Sequence, residues 1–67
     1  MTVLDQLNFY LWSDRREIML DEVNEIWIKR LYTEQGLKFE CNCRDTIAMC
    51  NDADEVRMWF KEIEKKV

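Results

Sequence analysis

The sequence predicts a small α+β domain spanning residues 1–67: a three-stranded antiparallel meander, or a four-stranded one, between N-terminal helix or helices and a C-terminal amphipathic helix. Three observations carry that reading. Val56, Trp59, Phe60, Ile63 and Val67 recur at helical spacing near the C-terminus. Leu37 to Cys43 alternates strictly between apolar and polar residues, as a half-buried strand does. The chain's one Gly, Gly36, separates that strand from a β-branched and aromatic segment, where a hairpin turn needs positive φ.

Taken in order, Thr2 can cap a first helix carrying Leu4, Leu7 and Leu11. Asp14 and Glu17 form a second capping-box pattern leading through Met19, Leu20 and Val23. This segment also reads as an edge strand paired with residues 25–33, but its residues are better helix formers, so helix is preferred. Glu25 to Thr33 holds Ile26, Trp27, Ile28 and Tyr32 and reads as a strand. Thr46 to Cys50 reads as another, entered by a tight turn at Arg44-Asp45. A two-residue loop there would set Ile47 and Met49 opposite Lys38, Glu40 and Asn42. A bulge or odd-numbered loop would set them beside Phe39 and Cys41, the register expected here. Asp52 and Glu55 open the last helix, and Lys65 and Lys66 complement its dipole. The preferred order is α-α-β-β-β-α, with α-β-β-β-β-α as the alternative.

A chain of 67 residues buries only about 60% of its unfolded surface. A 48% hydrophobic content with three Trp, two Tyr and three Phe supports the core, and oligomerisation is the other usual support at this size. Met1 to Asp5 do not read as a basic, apolar leader, and the longest run of large apolar residues, Phe9 to Trp12, is too short to cross a membrane. A cytoplasmic, reducing location is expected.

The composition argues against an enzyme. The chain has no His and one Ser (Ser13), while acid–base and nucleophilic catalysis usually join an imidazole to a hydroxyl or thiol. One Gly cannot build a phosphate-cradling loop. Asp52 and Asp54 are better explained by helix capping than by catalysis. Cys41, Cys43 and Cys50 are an odd set with no imidazole to complete a zinc site, and Cys41 and Cys43 share the apolar face of their strand. Buried thiols are expected, with no metal and no cofactor.

Net charge is −4, and residues 1–28 alone carry that excess, with six acids against two bases. Direct binding to nucleic acid or to an anionic membrane is therefore not expected. On a helix, Asp14, Glu17, Asp21 and Glu25 would share one face as an acidic ridge of roughly 16 Å. The bland alternative is a solvated face neutralised by Arg15, Arg16 and Lys29. In the strand, Ile26, Ile28 and Tyr32 point one way while Trp27 and Leu31 point the other. A strand apolar on both sides is normally covered on both. Trp27 and Tyr32 are therefore candidate anchors for a partner or a second copy of the chain.

In size, charge and lack of catalytic motifs the chain resembles phage-encoded inhibitors of host defence, anti-CRISPR proteins among them. The likeness carries over no individual residue. It implies a small acidic protein-binding module that engages a larger, basic, nucleic-acid-handling protein, with carboxylates standing in for phosphates. The alternatives are a homo-oligomeric structural or regulatory module and a thiolate metal or redox protein.

Overall fold

Thr2 opens helix α1 (Val3–Trp12) with a reciprocal capping box. Its hydroxyl accepts from the Asp5 N–H at 3.1 Å, and the Asp5 carboxylate accepts from the Thr2 N–H at 3.2 Å. Ser13 closes the helix, its N–H reaching the Phe9 and Tyr10 carbonyls and its hydroxyl donating to Tyr10 at 2.8 Å. The computed structural model describes residues 2–66, so Val67 of the predicted C-terminal stripe lies outside the described residues.

The segment after α1 is a strand, which corrects the helix preferred from propensity. Glu17–Asp21 forms β1, antiparallel to β2 (Ile26–Thr33). Helix preference differs by only tenths of a kcal/mol per residue among these side chains. Pairing with β2 and burying Leu20 outweigh it. Asp14 and Glu17 form no capping box. Instead Asp21 shapes the turn into β2: its carboxylate accepts from the N–H groups of Val23 (3.0 Å) and Asn24 (3.1 Å) and from the Asn24 amide (2.8 Å). Glu25 completes that turn at φ 53°, and a bulge between Met19 and Asp21 accommodates the register shift.

Strand β2 turns into β3 (Gly36–Cys43) through a Glu34-Gln35 tip, with Thr33 opposite Gly36. Gly36 takes the positive φ (114°) just past the tip. Open space surrounds the position of a Cβ there, so any substitution would cost backbone strain alone. Strand β4 (Thr46–Cys50) follows after only Arg44-Asp45. Cys43 pairs with Thr46, Cys41 with Ala48 and Phe39 with Cys50. The expected register is thus corrected: Ile47 and Met49 oppose Asn42 and Glu40. The two-residue loop is possible because Arg44 adopts φ 55°. Its N–H donates to the Glu25 carbonyl and its guanidinium to Asn24 Oδ1 at 2.9 Å, stitching this loop to the β1–β2 turn.

Helix α2 (Ala53–Lys66) starts where Asp52 accepts from the Glu55 N–H at 2.9 Å. Val56 and Phe60 are buried, and Trp59 and Ile63 are partly so. The four strands run in the order β1-β2-β3-β4, every neighbouring pair antiparallel. The buried sheet residues Leu20, Ile26, Ile28, Phe39, Cys41, Cys43 and Cys50 join Leu7 and Tyr10 of α1 and Val56 and Phe60 of α2 in one core. The register places those of β2, β3 and β4 on a single side of the sheet. Both helices therefore cover that side, and among the described residues no helix covers the other. Among the described residues, no helix is long and apolar enough to cross a membrane.

Candidate functional site on the bare face of the sheet

Alternation along four paired strands decides which side chains reach the uncovered side. One cross-strand row there reads Met19, Trp27, Asn42, Ile47; the next reads Glu17, Lys29, Glu40, Met49; a third holds Leu31 and Lys38. Met19, Ile47 and Met49 are each about half exposed or more (51%, 63% and 52%), while Trp27 and Leu31 are half-buried. An open hollow of about 480 Å³ lies against Trp27, Met19, Ile18 and Glu17. The middle row alternates in charge, so Lys29 sits directly between two carboxylates, a favourable cross-strand arrangement. Asn42 is buried among these residues, its amide donating to the Glu40 carbonyl at 3.4 Å. The result is an aromatic-centred apolar patch bordered by alternating charge.

The predicted acidic ridge does not form. Asp14 is exposed in the α1–β1 connection, Glu17 stands on the bare face, and Glu25 lies in the turn before β2. Asp21 is committed to its own turn. The Asn24 amide, with the N–H groups of Asn24 and Val23, holds its carboxyl below the ordinary aspartate range. A strand sends alternate side chains to opposite faces, so four carboxylates spaced for a helix scatter along it. The two predicted aromatic anchors also separate. Trp27 faces the bare side. Tyr32 follows the opposite parity, 69% exposed at the hairpin end beside Leu37.

Sequence reasoning missed Met19, Ile47 and Met49 as surface residues. For the latter two, the alternation of β4 was visible, but its direction depended on the length of the Arg44-Asp45 loop. Arg30 was also missed, although it shares the parity of Ile26 and Ile28. It is 5% exposed. Its guanidinium lies 5.0 Å from the Tyr10 ring centroid and 5.3 Å from that of Phe39, and those rings meet edge to face. It donates to the Arg15 carbonyl at 2.7 Å and to the Tyr10 carbonyl at 3.4 Å, at the negative end of the α1 dipole. Among the described residues its Nε–H has no acceptor and no carboxylate forms an ion pair with it. Tyr10 Oη donates to the Arg16 carbonyl at 3.0 Å. Arg30 and Tyr10 thus pin the end of α1 and the following connection to the sheet, away from the bare face.

All three cysteines are free and buried: Cys41 and Cys43 as their place on the apolar face of β3 predicts, and Cys50 because the corrected register of β4 turns it to the same side. Cys41 Sγ lies 3.5 Å from Cys50 Sγ. Among the described residues, no group of three or more His, Cys, Asp or Glu side chains converges on a point where a metal could sit. Burial pushes the Cys41 and Cys50 thiols and the Tyr10 phenol above their ordinary ranges. In the unfolded chain these groups ionise first, so the unfolded state holds fewer protons as pH rises. Their contribution to stability is complete below the ordinary thiol value of about 8.5 and is lost progressively above it, through the folded values. Denaturant midpoints should therefore fall steeply on the alkaline side. Cys41→Ala should flatten that slope, and an identical slope in the variant would refute the assignment to the thiols. Compared with known protein families, with curated proteins and with solved structures, the chain matches none.

Proposed function

We propose that this chain is a non-enzymatic protein-binding module that docks the bare face of its sheet onto a larger protein, with Trp27 as the central anchor. The observation that supports this reading is the uncovered row Met19-Trp27-Asn42-Ile47 with Met49 beside it: most single-sided sheets turn polar residues to water, and this one turns as many apolar side chains as polar ones. Tryptophan and methionine are enriched in the cores of protein interfaces, and a polar border is the usual rim. Met19, Trp27 and Ile47 form such a centre with Met49 beside it, while Glu17, Lys29 and Glu40 border it along the next row.

The net charge of −4 favours a partner with a basic surface, including the nucleic-acid-handling proteins that small phage-encoded inhibitors such as anti-CRISPR proteins engage. With the helical ridge gone, electrostatics would serve encounter and orientation, and the apolar face would hold the complex. Binding of this kind could block a partner's working surface with no chemistry of its own.

The test is affinity capture from a lysate of the organism that encodes the chain, followed by titration of the captured protein in purified form. Trp27→Ala should weaken binding by at least about tenfold, the effect of losing an interface anchor worth more than 1.4 kcal/mol. Ile47→Asp should weaken it similarly, while Tyr32→Ala, on the opposite parity, should leave it unchanged. Full affinity in both Trp27→Ala and Ile47→Asp would remove this face as the docking surface.

A further inference from the structure

We propose that the chain also self-associates through the free edge of β1, in an antiparallel β1–β1 pairing across a twofold axis that joins two sheets into one of eight strands. This goes beyond the docking reading, since it uses the edge of the sheet and a second copy of the chain. The Arg30 N–H donates to the Arg16 carbonyl, which makes Arg16–Arg30 a hydrogen-bonded pair of the β1–β2 ladder. Positions alternate in such a ladder, so Ile18–Ile28 is the next hydrogen-bonded pair. The N–H and C=O groups of Glu17 and Met19 therefore point away from β2, into the open. Exposed edges recruit further strands unless Pro, charge or distortion blocks them. Here the chain has no Pro, and the bulge comes only after Met19.

The space beside that edge suits a strand. An open groove of about 720 Å³ runs between the edge and α1, lined by Gln6 and Phe9 on the helix side and by residues 15–19 on the strand side. Phe9 stands 65% exposed as its apolar wall.

Charge selects the occupant. The strand is entered from Arg15-Arg16 and left through Asp21-Glu22. Among the described residues, neither arginine has an ion-pair partner. A second β1 running antiparallel brings its acidic end beside the basic end of the first, twice over by symmetry; a parallel copy would set like beside like. A twofold at Ile18 pairs Glu17 of one copy with Met19 of the other, which matches the outward-pointing backbone groups on both sides. The two bare faces then form one continuous surface, with the two Trp27 residues three strand spacings apart across it and two residues offset along it, about 16 Å. A larger partner would meet a paired site.

Sedimentation equilibrium of the purified full chain, without any partner, tests this. From micromolar to millimolar concentration the mean mass should climb from 8.3 kDa towards twice that value, and less so in high salt. Met19→Pro removes an outward N–H while sparing the bonds to β2. Arg15→Glu combined with Arg16→Glu removes the complementarity. Each should weaken self-association at least tenfold with an unchanged circular dichroism spectrum, whereas Trp27→Ala should not. If Met19→Pro does not fold, the charge reversal decides alone. A wild-type chain monomeric throughout would overturn the proposal. So would a dimer that survives the charge reversal and is lost in Trp27→Ala, because that dimer would use the bare face.

Discussion

Phe60→Ala should leave a large fraction of the chain unfolded at physiological temperature. Phe60 is 2% exposed and reaches from α2 into the core shared with Ile26, Leu20 and Val56. Truncating a buried Phe to Ala costs about 3–5 kcal/mol, through lost transfer energy and the cavity left behind. A core in a chain this short supplies only about 3–5 kcal/mol in total, so the loss is comparable to the whole margin. Trp59→Ala should cost less, because Trp59 is half-buried at the margin of the same core. Urea unfolding followed by circular dichroism reads both. A Phe60→Ala midpoint equal to that of wild type, or a larger loss for Trp59→Ala, would contradict this packing of α2.

The second large effect is expected at Arg30, where chemistry can be separated from volume. Arg30→Ala removes two hydrogen bonds from a charged donor, worth about 1.5–3 kcal/mol each by mutational measure. It also opens a gap between the Tyr10 and Phe39 rings. Arg30→Lys keeps the charge but loses the planar fork that reaches two carbonyls, and it buries an ammonium without a carboxylate. Arg30→Met keeps much of the volume and removes the charge, so no buried ion remains to be desolvated. The expected order of stability is wild type, then Met, then Lys and Ala. Met should stay folded where Ala does not. If Lys proves as stable as wild type, the paired carbonyls and the ring faces are not what holds Arg30.

Much of the architecture was legible because local signals agreed with the global fold. The α1 cap at Thr2, the Gly36 hairpin, the alternation of β3 and the stripe of α2 each state a local preference that burial then reinforces. The burial of Cys41 and Cys43 followed from the parity of β3, whereas that of Cys50 depended on the register of β4. Residues 14–25 were not legible in this way. Their helix and strand preferences are nearly balanced, and the deciding partner, β2, comes later in the chain. Once Glu17–Asp21 is a strand, the acidic ridge dissolves and Asp21 becomes a turn former.

The candidate site divides along the same line. The sequence by itself determined that Trp27 and Ile28 must face opposite sides of a strand, and that one layer of helices cannot cover both. Only the tertiary structure decided which side stays bare, because α1 and α2 both pack on the Ile28 side. It also decided that Ile47 and Met49 join Trp27, since one residue more or less in the Arg44-Asp45 loop would have turned them inward. Strand parity is a property of neighbouring residues and can be read locally. The sheet face that meets the helices is set by packing between segments distant in the chain, and a free energy of that kind is not written in any one of them.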